Sequence, residues 1–317
     1  MKLFSTLDEV KNIEPTVIAL GNFDGIHLGH QAIIKKTIYD AEGEKCKSAV
    51  FTFSNHPRNL LGKSDTVKNI LYAEDKMNVI ESLGIDYMFS IPFTKEIMEM
   101  DPVDFIDKIL IEKFNVREVL CGFNYHFGYK AKGNVELLIK EGAKKGFGVH
   151  VTEPFTVDNQ VVSSSLIREK IAEGDMTACS KLLGRNYTIG GEVVVGNRLG
   201  KKIGFPTSNL NIDKTMVSPP NGVYITRCYY NGVVYPSITN VGNKPTIGEY
   251  HKNIETHIFN FDMELYGKNI KVEFLEKMRD EKKFDSVEDL SREIMANCIT
   301  AKAYHRQHDL RKNKGGK

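Results

Sequence analysis

TVIALGNFDGIHLGH, residues Thr16 to His30, runs from an apolar strand through a glycine-rich turn into the start of a helix. The run Thr16–Leu20 has no charged side chain, which is typical of a strand covered on both faces. Gly21 and Gly25 allow the backbone to turn sharply and to approach a ligand closely. The helix that follows offers free N–H groups and a positive dipole end to an anion. This stretch therefore predicts a phosphate-binding turn after the first buried strand of an α/β domain.

Two histidines lie at the end of that turn. His27 and His30 are three residues apart, so in a helical first turn they share one face. Gly29 between them leaves space where a nucleotide must lie flat. Together with the helix N-terminus, two imidazoles can neutralise charge that develops on an attacked α-phosphate. A glycine-rich turn with two incidental histidines is the alternative, and the position after a strand of an α/β domain favours the functional interpretation.

On either side of this turn, the first half of the chain alternates apolar runs with helical patterns. The predicted strands are Thr16–Leu20, Ser48–Phe53, Ile85–Ile91, Glu118–Cys121 and Gly148–Thr152. The predicted helices are His30–Ala41, Ala73–Leu83, Asp101–Phe114, Val135–Lys145, Ser165–Glu173 and Met176–Leu183. Strands that alternate with helices of this length predict a Rossmann-like α/β domain with a parallel sheet, covering residues 1–184.

From Tyr187 onward the pattern changes to short alternating segments. The predicted strands are Tyr187–Val195, Gly222–Tyr230, Val233–Val241, Glu255–Phe261 and Ile270–Phe274. Asn231-Gly232 separates two of them and is the strongest short hairpin signal. A last helix over Val287–Gln307 carries Leu290, Ile294, Met295, Cys298 and Ile299 on one predicted face. Residues 185–317 are therefore predicted to form a small antiparallel β-barrel with a C-terminal helix.

The overall composition excludes several functional classes. The chain has 317 residues with 43 basic and 41 acidic side chains, a net charge of +2, so no nucleic-acid partner is expected. No run approaches the length of a membrane span, and the N-terminus has no secretory signal, so no membrane partner is expected. Five scattered cysteines, without ligand-like spacing to histidines, predict a cytoplasmic protein without a zinc site. The oligomeric state stays open.

A second candidate phosphate site opens the barrel half. The stretch Gly196–Lys202 is glycine-rich, but it is not a P-loop, because its glycine spacing is one residue short and Lys202 stands where Ser or Thr must hold magnesium. Thr207 and Asn209 follow it. Two residues apart on an extended segment, they point to the same side. A hydroxyl and an amide oxygen are suited to Mg²⁺ that retains several waters.

With these residues in view, the first half resembles bacterial FAD synthetases, the bifunctional riboflavin kinase/FMN adenylyltransferases. GNFDGIHLGH resembles their HxGH motif, Thr52–Arg58 their TFxxHP segment, Gly122–Gly128 their Gx[DN]FxFG loop and Val162–Arg168 their ISSTxIR motif. The resemblance implies His27 and His30 as catalytic residues. It implies as nucleotide-binding residues Gly21, Phe23, Asn124, Ser164, Ser165 and Arg168. His56 is either part of this site or a structural histidine before Pro57.

The second half resembles the riboflavin kinases of the same family. Gly204–Asn209, GFPTSN, resembles their GFPTAN motif, Ile254–Phe261 their VExHIxDF strand, Asn243–Thr246 their RPT turn, and Arg279–Phe284 their RxExKF segment. The resemblance implies Gly204 as a nucleotide-binding residue, Thr207 and Asn209 as Mg²⁺ ligands, and Glu255 as the general base. Arg279 and Glu281 are expected near the flavin. A solvent-facing strand carboxylate is the alternative for Glu255.

The function that the resemblance implies is phosphorylation of riboflavin by ATP, followed by adenylylation of FMN to FAD. ATP, riboflavin and FMN are then the small-molecule partners. Three alternatives stay open: a kinase whose adenylyltransferase module is weakened, a flavin-sensing regulator, and another nucleotidyltransferase fused to an unrelated barrel. Leu166 and Asn260 depart from the family pattern and keep the first two open, whereas Thr207, Asn209 and Glu255 argue against the third.

Overall fold

The computed structural model describes residues 1–55, 67–196, 199–246 and 249–314 and divides the chain into two compact units, Met1–Ser164 and Ser165–Lys317. This division precedes the predicted boundary at residues 184 and 185, and the helix Met176–Leu183, which lies between the two positions, packs against barrel strands. Gly174, which precedes this helix, also lies close to the barrel. A Cβ at Gly174 would lie 3.1 Å from Pro220 Cγ and 3.3 Å from the Tyr224 hydroxyl.

The first unit alternates strands and helices, as the sequence predicts. Its strands are β1 (Lys2–Phe4), β2 (Thr16–Leu20), β3 (Lys47–Phe53), β4 (Tyr87–Ile91), β5 (Val116–Gly122), β6 (Gly148–Thr152), β7 (Thr156–Val157) and β8 (Gln160–Val161). Its helices are α1 (Leu28–Glu44), α2 (Ala73–Ser82), α3 (Lys95–Glu99), α4 (Pro102–Asp104) with a π-helical continuation (Phe105–Ile111), a 3₁₀ turn (Tyr129–Ala131) and α5 (Val135–Lys145).

Six of these strands form one parallel sheet in the order β1-β4-β3-β2-β5-β6, which confirms the predicted fold class. Ile18 and Leu20 on β2 pack into one core cluster, whereas Val17 and Ala19 pack into another. Both faces of the sheet are therefore buried, which accounts for the uninterrupted apolar run. Because β2 lies between β3 and β5, its carboxyl end opens where strand order changes direction, the usual ligand position in such sheets.

The second unit begins at Ser165 inside helix α6 (Ser164–Glu173), includes helix α7 (Met176–Leu183) and continues into a closed antiparallel barrel. The remaining elements are β9 (Tyr187–Val194), α8 (Leu199–Lys202), β10 (Ser208–Asn211), β11 (Gly222–Tyr230), β12 (Val233–Thr246), β13 (Glu249–Ile258), β14 (Asn269–Arg279) and α9 (Val287–Lys314). Asn231 and Gly232 both have positive φ, 47° and 75°, in the predicted hairpin turn. The predicted barrel is confirmed.

The predicted apolar face of α9 is only partly correct. Ile294 and Cys298 pack into the core with Ala301, but Met295 is 52% exposed and Ile299 is 63% exposed. Cys298, Ala301 and His305 are buried at helical spacing. Met295 and Ile299, which each follow a packed residue by one position, therefore face outward. Among the described residues, no helix combines the length and apolarity that a membrane span requires.

Gly128→Ala is expected to destabilise the protein by about 2–4 kcal/mol, since left-handed backbone strain and steric overpacking add. Gly128 has φ +69°, and a Cβ there would lie 2.8 Å from both Cα and Cγ of Pro102. Gly146→Ala is the control: its φ is +83° with nothing within 4 Å, so only the strain of about 1–2 kcal/mol applies. Urea denaturation followed by circular dichroism measures both, and equal losses would contradict the steric argument.

Candidate active sites

His27 and His30 meet at the start of α1. His27 is the N-cap of the helix, with extended backbone, and its Nδ1 accepts a hydrogen bond from the His30 backbone N–H at 3.2 Å. The two rings stack with centroids 3.6 Å apart. The structure thus brings the predicted pair together, although the cap, rather than a shared helical turn, positions His27.

His30 is neutral at pH 7 without a ligand. Burial, the neighbouring His27 and the positive charge of Lys76 hold the pKa of His30 well below its ordinary value. Among the described residues, its buried Nδ1 has no hydrogen-bond partner. We assign the proton to Nε2, because an unpaired buried N–H is rarer than an unpaired acceptor. His30 then offers a neutral N–H donor rather than a full charge, which modifies the expectation that both imidazoles neutralise charge.

Phe23 supports His30 instead of facing a ligand. Its side chain is fully buried, and its ring meets the His30 ring edge-on with centroids 5.1 Å apart. A Cβ on Gly21 would lie 3.1 Å from the Phe23 ring, and one on Gly29 would lie 3.3 Å from the His27 ring. No surface of the Phe23 side chain is exposed in this conformation, and the contact of Phe23 with a nucleotide that the sequence predicts stays a prediction.

Ser164 anchors the glycine turn. Its hydroxyl donates to the backbone oxygen of Asp24 at 2.8 Å, so its proton is engaged inside the protein. The buried Asp24 carboxylate in turn accepts the Ile70 N–H at 3.0 Å. Ser165 is exposed and Arg168 is half-buried. The two residues lie about one helical turn from each other on α6. Ser164, one of the three predicted phosphate-binding residues of α6, therefore holds the glycine turn through its hydrogen bond to Asp24.

Lys76 was not predicted from the sequence. This lysine of α2 places its Nζ 3.1 Å from the Asn22 backbone oxygen and 3.3 Å from Thr52 Oγ1, at the carboxyl ends of β2 and β3. Burial lowers the pKa of Lys76 to about 8, while Asp24 raises it. Asn124 is exposed in its loop, as a nucleotide contact requires. His56 lies outside the described residues.

A cavity of about 270 Å³ lies among the described residues of the barrel and of α9. It brings together four predicted site residues: Thr207, Glu255, Arg279 and Glu281. The wall is completed by apolar and polar side chains of the barrel and of α9, including Ile203, Phe205, Val223, Ile238, Leu290 and Ile294. An apolar cleft with a few convergent charged groups is the usual form of a small-molecule site.

Asn209 lies directly opposite Glu255 in the ladder between β10 and β13. Asn253, two residues before Glu255, joins them: its Nδ2 donates to Asn209 Oδ1 at 3.1 Å and to Glu255 Oε1 at 3.0 Å. Its own Oδ1 is buried and has no partner in the described part of the chain. With the Thr207 hydroxyl nearby in sequence, this oxygen-rich group fits a hard cation such as Mg²⁺. Side chains two residues apart on a strand face the same side, so the sequence could have placed Asn253 beside Glu255.

Further contacts fix the walls of the cavity. A ring nitrogen of His257 lies 2.8 Å from the Pro206 backbone oxygen, and burial lowers the pKa of His257. Arg279 Nε donates to Asn297 Oδ1 at 2.9 Å, and Glu281 Oε2 accepts from Asn221 Nδ2 at 2.8 Å. Gly204 has φ +87° with open space around it. Arg279 is thus pre-oriented by the C-terminal helix.

Two departures from the resemblance have structural settings. Asn260 has φ +54° in the turn after β13, a backbone region that asparagine tolerates well. Leu166 lies in the first turn of α6 and is half-buried. The asparagine is therefore compatible with the local backbone without any change in the barrel.

Comparisons with known proteins agree across both units. A family model for FAD synthetase matches residues 9–166, and one for riboflavin kinase matches residues 183–305. Bifunctional riboflavin kinase/FMN adenylyltransferases from Bacillus subtilis and Haemophilus influenzae are 36% and 33% identical. The matches cover 88% and 92% of this chain and 89% and 95% of the relatives. A crystal structure described as a macrolide-efflux protein from Streptococcus pneumoniae has a TM-score of 0.87 at 27% identity, covering 95% of this chain and 98% of that one. The chain belongs to the bifunctional riboflavin kinase/FMN adenylyltransferase family.

Proposed function

We propose that this chain makes FAD from riboflavin in two ATP-dependent steps, with riboflavin phosphorylation in the barrel and FMN adenylylation in the parallel-sheet unit. The observation that carries the proposal is that residues of the two motif sets come together at two separate places. His27 and His30 stack at one helix start, and Thr207, Glu255 and Arg279 surround one cavity. We keep residues 184 and 185 as the boundary between the two catalytic modules.

For the kinase step, Glu255 is the proposed general base. Its carboxylate is half-buried at the cavity wall and is oriented by Asn253 at 3.0 Å, so it can accept the proton of the ribityl 5′-hydroxyl. Arg279 and Glu281 on the same wall are proposed to orient the flavin. Mg²⁺ held by Thr207 and Asn209 would supply charge neutralisation for the γ-phosphate when bound.

For the adenylyl step, the phosphate of FMN attacks the α-phosphorus of ATP and pyrophosphate leaves. Positioning and charge stabilisation carry most of such a reaction, and no covalent enzyme intermediate is required. His27 and His30 are proposed to donate hydrogen bonds to the α-phosphate oxygens as charge develops. Gly21, Asn124, Ser165 and Arg168 are proposed to contact the nucleotide, and Ser164 to hold the glycine turn through Asp24.

Purified protein incubated with riboflavin, ATP and Mg²⁺ is expected to yield both FMN and FAD, which chromatography separates. Because the proposed ligands Thr207 and Asn209 supply oxygen atoms to a hard cation, excess EDTA is expected to stop FMN formation, and Mg²⁺ to restore it. FMN without FAD would indicate a kinase with an inactive first module. Flavin binding without either product would indicate a regulatory protein and would overturn the proposal.

We also propose a cytoplasmic location. All five cysteines are free thiols in the structure, and Cys121, Cys179, Cys228 and Cys298 are buried. Burial raises the pKa of Cys121 to about 11, so its thiol stays protonated and unreactive. Free thiols of this kind are typical of reducing compartments.

A further inference from the structure

The ammonium group of Lys76 occupies a position that the known motifs do not use. It reaches from α2 to the carboxyl ends of β2 and β3, where it donates to Asn22 O at 3.1 Å, Thr52 Oγ1 at 3.3 Å and Phe53 O at 3.3 Å. The Thr52 hydroxyl also donates to Asn22 O at 2.9 Å. Three neutral oxygens therefore hold the cation at the edge of the sheet where α/β proteins bind ligands.

The charge of Lys76 is not balanced by a close carboxylate in the part of the chain that the structure describes. Among the described residues, Lys76 forms no ion pair, and the Asp24 carboxylate acts on it only at longer range. Three neutral carbonyl and hydroxyl contacts do not offset the free energy lost when an ammonium leaves water. The Lys76 ammonium would attract a negatively charged ligand at this position. Such a ligand would in turn stabilise the charged form of Lys76.

The surroundings of Lys76 favour an anion. The positive charge of Lys76 contributes to the lowered pKa of the His30 imidazole. The helix start that His27 caps lies beside the His30 ring, whose Nε2–H can donate to an anion. A helix N-terminus attracts anions independently of these side chains. Cation, imidazole pair and helix start together form a site for a phosphate.

We infer that Lys76 is a phosphate-binding catalytic residue of the adenylyl-transfer site, in contact with a phosphate oxygen of FMN or of ATP. The inference rests on the proposed function. The step forms a P–O bond between the FMN phosphate and the α-phosphorus and breaks the bond to pyrophosphate, whose oxygen takes the electron pair. Lys76 keeps its proton throughout and acts by charge alone.

Lys76→Met and Lys76→Arg in the full chain test this role, with FMN and ATP supplied and FAD measured. We expect kcat/KM for FAD formation to fall about 10²-fold in Lys76→Met and less than tenfold in Lys76→Arg, as for loss and retention of one preorganised cationic donor. A rise of KM for FMN alone would identify the FMN phosphate as the ligand, and a rise for ATP alone the triphosphate. Lys140→Met removes an exposed lysine of α5 as a control, and circular dichroism with thermal melting reports the folding of each variant.

The pH profile separates binding from a structural role. Lys76 loses its charge as pH rises through its pKa of about 8, so kcat/KM of the wild type for FAD formation is expected to fall between pH 7 and 9. Lys76→Arg should remove this fall, since guanidinium stays charged. The other titratable groups that act on or feel the ammonium are Asp24 and His30, and His30 stays neutral in this range because its pKa lies well below 6.5.

Normal kcat/KM in Lys76→Met with a lowered melting temperature would overturn the inference and leave Lys76 as a clamp between two strand ends. If that variant fails to fold, Lys76→Arg decides alone, because an alkaline fall that persists unchanged is also contrary to the inference. A wild type that makes no FAD at all would instead refute the proposed function, so the two failures are distinguishable.

Discussion

Glu255→Gln is expected to lower the rate of FMN formation by roughly 10²–10⁴-fold, the usual loss when a general base is removed. Glutamine keeps the shape of glutamate, and its Oε1 still accepts the hydrogen bond that Asn253 gives to Glu255. The barrel therefore stays folded while the ability to take the 5′-hydroxyl proton is lost. Riboflavin, ATP and Mg²⁺ are the substrates, and FMN is measured by chromatography.

The same Glu255→Gln protein, supplied with FMN, should form FAD at the wild-type rate, since His27 and His30 lie in the other unit. Glu276→Gln is the matched control, because Glu276 is an exposed strand carboxylate of the same barrel outside the cavity. Loss of both activities in Glu255→Gln would mean that the modules do not act separately. Unchanged FMN formation would remove Glu255 from the role of base.

The sequence predicted the elements whose pattern is local. Thr16–Leu20 and Gly222–Tyr230 have the observed bounds, because one is an uninterrupted apolar run and the other ends at an Asn-Gly turn. The edge strand Lys2–Phe4 escaped prediction, since three residues are too few to show alternation. The π-helical continuation Phe105–Ile111 also escaped, because its buried residues fit α-helical spacing equally well.

The candidate sites divide in the same way. His27 and His30 follow from spacing along three residues, and the cap that joins them is equally local. Lys76 has no such signal: it comes from a polar helix, and its partner Asn22 is 54 residues away in sequence. The burial of Phe23 also depends on tertiary packing, in a core cluster that includes Ile80 and Met88 from later in the chain. Contacts between distant segments thus decide which polar and aromatic residues of a motif face the ligand.

His30→Ala is expected to slow FAD formation from FMN and ATP by roughly 10²–10³-fold, comparable to the loss of one donor at a developing anion. His30 is neutral without ligand because its pKa is held well below 6.5. Its N–H therefore contributes most when negative charge grows on the α-phosphate oxygens. An interaction that strengthens in the transition state affects kcat more than KM, so steady-state kinetics with both substrates varied should place most of the loss in kcat.

The size of that loss must be separated from packing damage, because the His30 ring also lies between His27 and Phe23. His30→Gln keeps a side-chain N–H donor near the place of the His30 Nε2, where the proton is assigned, and should recover part of the rate, whereas a purely structural role predicts no recovery. His150→Ala, in the edge strand β6, controls for the removal of a histidine. Riboflavin phosphorylation should be unchanged in all three variants, and FAD formation near the wild-type rate in His30→Ala would refute the catalytic assignment.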